Sequence, residues 1–185
     1  GYGQVQDFLL RLALVKNGIS QSAVKTIIIK PPEMIPALSG RQIDAFLAWE
    51  PYPARAVTTG IGKVLSYSGA IWPNHPCCVL AAQKNFILQY PQTVFKFVRA
   101  HIKATQYIKN NPQEAIALGR DFTGMDEPTV SMGLDSLAYD YVINKQGILE
   151  YVKFLIDLEI IKIREPVQFV ESLIDDSYVE RALGK

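Results

Sequence analysis

A prediction of the fold can start from the stretch Ile43-Asp44-Ala45-Phe46-Leu47-Ala48-Trp49-Glu50-Pro51-Tyr52. Its first six residues form a short apolar run, which is typical of a buried strand in a parallel sheet. Pro51 would end that strand, because proline has no N–H to donate to a ladder. An aromatic ring and a carboxylate therefore stand at the end of a predicted strand, where open α/β sheets bind their ligands.

Two interpretations of this stretch are open from the residues alone. In the first, Trp49 stacks on a flat or cationic ligand and Glu50 accepts hydrogen bonds from an ammonium or amide group. In the second, Trp49 fills the core and Glu50 is a solvated charge, or caps the helix that begins near Tyr52.

The surrounding pattern predicts an α/β fold. Helical spacing covers residues 4–16, a proline pair opens a helix through Leu38, and β-branched or apolar runs predict strands between and after them. After residue 84 the pattern is helical, with prolines and glycines between the segments. The predicted strands cover residues 24–29, 43–48, 62–67 and 77–82. The later predicted helices cover 91–110, 112–121, a segment opening at 126–128, and 147–158, and the chain then closes on an irregular end at 178–183.

The chain opens on two glycines just before its first helix. Gly1 and Gly3 let backbone amides point at a ligand, and a helix N-terminus attracts negative charge. An ordinary flexible terminus fits the same residues. If the stretch binds a ligand, the residues that would contact it are Tyr2, Gly3, Gln4, Val5 and Gln6.

Composition excludes several classes of function. A net charge of +1 provides no strong field for nucleic acid. No apolar run reaches the roughly 18 residues of a membrane span, and no signal-peptide pattern is present. Adjacent Cys77 and Cys78 predict two buried thiols rather than a disulfide, and with His75 and His101 they do not match zinc spacing. We find no catalytic constellation and expect neither a metal nor a cofactor.

Short motifs along almost the whole chain occur in a consistent order. They are Asp7, Leu9-Leu10-Arg11, Pro31-Pro32, Ala37-Leu38 with Gly40, Asp44-Ala45-Phe46, Trp49-Glu50-Pro51-Tyr52, His75-Pro76, Val79-Leu80-Ala81-Ala82, Phe86, Tyr90-Pro91, Tyr107-Ile108, Asn111-Pro112, Glu114-Ala115 and Asp176-Ser177-Tyr178. In this order they resemble the substrate-binding proteins of ABC importers, of the sulfonate, nitrate and taurine type. That group shares its fold with binders of thiamine-pyrimidine precursors.

The resemblance implies a type II periplasmic-binding-protein fold, in which two α/β lobes close over a small ligand. Residues 1–80 would form the second lobe, a three-layer α/β sandwich. Residues 81–185 would supply a crossing strand and C-terminal helices that pack on the first lobe. The bilobal protein would be incomplete here, with the first lobe or another chain covering an exposed sheet edge.

The resemblance also implies a function and a site. The protein would be the extracytoplasmic, non-enzymatic binding component of an importer, docking on its permease, with a signal segment outside this chain. The site would be Tyr2, Gly3, Gln4, Val5 and Gln6 facing Trp49, Glu50 and Tyr52. Gln4 stands where the family usually has a hydroxyl residue, so a ligand with a ring or an amino group fits better than a bare inorganic anion.

Two alternatives share the same fold. One is a biosynthetic enzyme of thiamine-pyrimidine or menaquinone precursors, although the pyrimidine-forming relatives carry a longer cysteine-rich run than Cys77-Cys78. The other is a ligand-sensing lobe with no transport role.

Overall fold

The computed structural model describes residues 1–184, and helices are the regular structure in them. The helices are α1 (Val5–Lys16), α2 (Pro31–Ser39), α3 (Tyr52–Thr58), α4 (Ser68–Ile71), α5 (Lys84–Gln89), α6 (Pro91–Asn110), α7 (Pro112–Thr123), α8 (Glu127–Asp135), α9 (Lys145–Asp157), α10 (Pro166–Leu173) and α11 (Ser177–Ala182), with a 3-10 turn at Gln21–Ala23.

The chain divides into two compact units, and the first comprises residues 1–73 and 116–137. In this unit α3 packs on α2 and α8, and α1 packs on α4. The interface between these helices is formed by small buried side chains, namely Ala54 and Ala56 of α3 and Val130 of α8. Their size lets the two helices approach closely. Next to α4, the rings of Phe8 and Trp72 meet edge to face with centroids 4.5 Å apart.

The second unit comprises residues 74–115 and 138–185. Its longest helix, α6, packs on α5 and α11, and α9 packs on α10. Ile102 of α6, Val152 of α9 and Val170 of α10 are buried, so each helix turns an apolar stripe inward. Lys145, at the start of α9, forms a 2.5 Å ion pair with Asp176, just before α11.

The helix predictions are largely confirmed. The long helix spans residues 91–110 as predicted, and α1 and α2 agree with their predicted bounds to within one residue. Asp126 caps α8 by accepting a hydrogen bond from the Thr129 amide at 3.0 Å. Four helices were not predicted, and three of them are only four to six residues long: α4, α5, α10 and α11.

The predicted α/β fold, a type II periplasmic-binding-protein-like lobe with a three-layer sandwich, is wrong. Residues 1–184 contain no strand, so none of the four predicted strands forms. Among these residues, no backbone hydrogen bond joins any two of the four segments. Large side chains in them are exposed, including Ile28 at 75% and Leu65 at 78%. Apolar and β-branched runs favour a strand only where a neighbouring strand completes the ladder, and here none does.

The predicted domain boundary at residue 80 separates a lobe from a crossing segment. The two compact units do not test that boundary, so it stays a prediction. None of the helices in residues 1–184 combines the length and the apolar character needed to span a membrane.

Candidate functional site

Glu50 stands immediately before α3 and is anchored at both carboxylate oxygens. Oε2 accepts a hydrogen bond from the Ala54 amide at 3.1 Å, which satisfies one of the free donors of the first turn. Oε1 lies 3.1 Å from the Ser136 hydroxyl, just beyond α8, and that hydroxyl shares its one hydrogen between Glu50 and the Gly133 carbonyl, which is 2.9 Å away. The capping interpretation of Glu50 is thus confirmed, and a contact between Glu50 and a ligand stays a prediction.

A second polar contact fastens α3 to α8. The hydroxyls of Thr58 and Thr129 lie 2.6 Å apart, and Thr129 is fully buried. Gly133 of α8 faces Glu50 and Pro51, and a Cβ added there would lie 3.5 Å from their side chains. The end of the Trp49-Glu50-Pro51 segment is therefore held against α8 by close packing and hydrogen bonds.

Trp49 lies at the surface rather than in the core. Its side chain is 49% exposed, and its ring meets the ring of Tyr52 edge to face with centroids 6.5 Å apart. The core-filling interpretation of Trp49 is wrong. An exposed indole beside a second ring offers apolar surface for a flat molecule.

Tyr52 also lines a cavity of about 330 Å³ inside the first unit. Arg55 supplies the cavity's only formally charged lining group in the described residues. The remaining lining is apolar: Pro32, Ile35, Pro36 and Met125.

A wider depression of about 550 Å³ lies in the same unit, beside α8. Ser136 connects it to Glu50 through the hydrogen bond already described. Its lining is more polar and consists of Tyr67, Pro128, Ser131, Met132, Asp135 and Ser136.

The predicted N-terminal contact residues are mostly engaged with one another and with α1. The Gly3 amide donates to Asp7 at 2.8 Å, and Gly3 has a φ of 72°, which glycine adopts readily. Asp7 also pairs with Arg11 at 2.9 Å, and the Arg11 guanidinium lies 5.3 Å from the centre of the Tyr2 ring. Gln4 accepts a hydrogen bond from the N-terminal ammonium group.

The structure therefore forms two groups among the predicted contact residues. Trp49, Glu50 and Tyr52 lie together at the start of α3, which packs on α2 and α8. Residues 2–6 lie at the start of α1, which packs on α4. In this group Val5 and Gln6 are half-buried in the first turn of the helix.

The adjacent cysteines differ from their prediction, because both are exposed rather than buried. Their sulfurs lie 3.8 Å apart as free thiols. The pKa of Cys77 is raised to about 11. The larger cause is partial burial of its sulfur, and the smaller is the neighbouring Cys78 thiol. Among residues 1–184, no cluster of three or more His, Cys, Asp or Glu side chains could hold a metal ion.

Arg55, which lines the cavity, was not among the predicted contact residues. A signal for it was present, since Arg55 follows Tyr52 by three positions and residues at that spacing share one face of a helix. Met125 had no comparable signal, because it reaches the cavity from a loop 70 residues further along the chain.

Comparison with known proteins gives one family. The model of the NMT1-like family matches residues 2–118, which include both groups of predicted contact residues. No solved structure matches this chain.

Several characterised proteins are similar to parts of the chain. A nitrate import ATP-binding protein of Synechocystis sp. is 31% identical over 104 residues, which is 56% of this chain and 16% of that protein. A bicarbonate transport ATP-binding protein of Synechococcus elongatus is 30% identical over 107 residues, 57% of this chain and 16% of that protein. A nitrate/nitrite binding protein of Nostoc sp. is 26% identical over 106 residues, 57% of this chain and 24% of that protein. The matched segments thus cover less than a quarter of each relative.

Proposed function

The chain belongs to the NMT1-like family, and from that membership we propose that it is the ligand-binding component of an ABC importer. The observation that carries the proposal is the family match over residues 2–118, which is supported by the similarity to a nitrate/nitrite binding protein over 106 residues. Similarity to transport ATP-binding proteins supports the same assignment, because the proteins concerned serve import systems by name.

The proposed ligand is a small organic molecule, such as a sulfonate, a taurine-like compound or a pyrimidine precursor. A cavity of about 330 Å³ lies at the small end of ligand pockets, which span roughly 300–1,000 Å³. It is lined mainly by apolar groups, which favour a molecule with an apolar body over a bare inorganic anion. Trp49 and Tyr52 would contact the ring or chain of the ligand.

The mechanism proposed is reversible capture. A ligand that makes more contacts with a closed state than with an open one shifts the population toward the closed state. Glu50 would hold α3 in place while Trp49 and Tyr52 contact the ligand, and residues Tyr2, Gly3, Gln4, Val5 and Gln6 would form the facing wall. Binding is non-enzymatic in this proposal, and the ligand leaves unchanged.

The proposed partners follow from the importer assignment. They are the permease subunits at the membrane, and a further segment or chain that completes the cleft and covers exposed apolar side chains such as Ile28 and Val79. The proposed location is outside the cytoplasm, where an importer's binding component meets its ligand.

A binding panel tests the proposal. Nitrate, taurine, an aliphatic sulfonate and an aminopyrimidine are each titrated into the chain by calorimetry, and every bound compound is recovered and weighed by mass spectrometry. At least one organic compound is expected to bind and to be recovered unchanged. If none binds, or if the recovered compound has a new mass, the proposal is wrong.

Substituting Trp49 then locates the site. Trp49→Ala is expected to weaken binding about two- to tenfold, the range for losing one aromatic contact. Phe122→Ala is the matched control, because Phe122 lies in the same unit and is 93% exposed. Equal affinity in both variants would remove Trp49 from the site.

A further inference from the structure

Arg55 places a positive charge in the wall of the cavity that Tyr52 lines. Both residues belong to α3, three positions apart, and both contribute to the lining. Four apolar residues complete the lining: Pro32, Ile35, Pro36 and Met125. A guanidinium group among apolar side chains attracts an anion more strongly than it would in open water.

Within residues 1–184, no carboxylate forms an ion pair with Arg55. Asp126 is near enough for the charge of Arg55 to lower the pKa of Asp126, but that charge is the smallest of the causes. The main cause is the hydrogen bond that Oδ1 of Asp126 accepts from the Thr129 amide in capping α8. Because none of the ion pairs in the described residues includes Arg55, its guanidinium can donate to a ligand.

Glu50 and Asp126 are the other charged groups near the cavity, and Glu50 accepts hydrogen bonds from Ala54 and Ser136. Neither carboxylate is among the residues that line the cavity. An amino group entering the cavity would therefore meet the Arg55 cation, with no carboxylate among the described lining residues to balance it. The charge that faces the ligand is thus positive.

We propose that this cavity binds a small carboxylate with an apolar, ring-bearing body, its carboxylate held by Arg55 and its body lying among Tyr52, the two prolines and Met125. A planar guanidinium matches a carboxylate with two parallel hydrogen bonds, and this geometry selects carboxylates over amines and neutral rings. The inference rests on the proposed function in one respect, namely that the chain binds a small organic molecule.

The test uses benzoate as the probe, with benzylamine as its cationic counterpart and nitrate as an anion without an apolar body. Each is titrated by calorimetry into the full chain and into Arg55→Gln, Arg55→Lys and Arg120→Gln. Arg120 is the matched control, because it lies in the same unit, pairs with Glu127 at 3.1 Å and does not line the cavity. Circular dichroism confirms that each variant keeps its helix content.

Benzoate is expected to bind the wild-type chain and Arg120→Gln alike, and more tightly than benzylamine or nitrate. Arg55→Gln should weaken benzoate binding about tenfold or more, because a charge-assisted pair of hydrogen bonds is lost, and Arg55→Lys should fall between the two. Benzoate binding that does not change in Arg55→Gln, or tighter binding of benzylamine, would overturn the inference.

The two proposals fail in different ways. If benzoate does not bind but any compound of the earlier panel does, the carboxylate inference is wrong and the ligand-binding function stands. If neither benzoate nor any compound of that panel binds, both are wrong.

Discussion

Replacing Glu50 by alanine measures how much its carboxylate contributes to the stability of the ligand-free protein. In the ligand-free chain Glu50 caps α3 through the Ala54 amide and accepts a hydrogen bond from the Ser136 hydroxyl. Loss of a capping bond costs about 1 kcal/mol, and loss of the further, exposed hydrogen bond from the Ser136 hydroxyl to the carboxylate costs about 1 kcal/mol. The free energy of unfolding should therefore fall by about 2 kcal/mol in Glu50→Ala.

Thermal unfolding without ligand measures this change. For a chain of this length, about 2 kcal/mol corresponds to a Tm lower by roughly 4–8 °C. Glu50→Gln keeps an acceptor oxygen and should lose about half as much. Asp44→Ala is the control, because Asp44 is an exposed acid in the same segment, and its Tm should stay within about 2 °C of the wild type.

The result that would refute the reasoning is an unchanged Tm in Glu50→Ala. The carboxylate would then contribute nothing to the junction between α3 and α8. A double-mutant cycle with Ser136→Ala adds a further check, since the two substitutions should be less than additive if the hydrogen bond exists.

Two further predictions concern α8. Hydrogen bonds from Thr129 lower the pKa of Asp126. The charged form of Asp126 therefore stabilises the fold at pH values above the ordinary Asp pKa of about 3.9, and this stabilisation is lost as the pH falls through the lowered pKa. Asp126→Asn should therefore be less stable than the wild type at pH 7, with the gap closing under acid titration followed by circular dichroism; a constant gap would contradict the assignment. Gly119→Ala should lower the free energy of unfolding by about 1–3 kcal/mol, because a Cβ there would lie 2.7 Å from Val130 Cγ1. Denaturant unfolding compares it with Gly69→Ala, which meets nothing within 4 Å, and equal stability in the two variants would show that the contact is absent.

The helices could be predicted because their signals are local. Pro91 starts the 20-residue helix α6, and Asn111-Pro112 ends it before α7 begins. Asp126 before Glu127-Pro128 marks the start of α8, and its capping hydrogen bond is present in the structure. Each of these signals needs only the few residues around it.

The strands could not be predicted in the same way, because a strand depends on a partner that its own sequence does not contain. Ile43–Ala48 has the composition of a buried strand, but no backbone hydrogen bond joins it to the other predicted strands in residues 1–184. The exposed side chains of Ile28 and Leu65 show that β-branched or apolar character alone does not ensure burial.

The candidate site was predicted in part. Trp49 and Tyr52 do lie together, because a short loop into a helix keeps neighbours in sequence close in space. Capping by Glu50 was one of the open interpretations, and the local hydrogen bond from the Ala54 amide confirms it. The contact between Glu50 and Ser136 could not be predicted, because the two residues lie 86 positions apart. The charge of the cavity comes from Arg55, whose significance depends on apolar residues brought in by α2 and by the loop at Met125.

Native mass spectrometry of the full chain, purified without added ligand and then incubated with the compounds of the binding panel, shows directly whether the protein captures a small molecule. We expect a one-to-one, non-covalent complex with an organic compound that dissociates at its original mass. A chain that stays empty with every compound, or a bound compound that is released with an altered mass, would contradict the claim that this member of the NMT1-like family captures a small molecule for import.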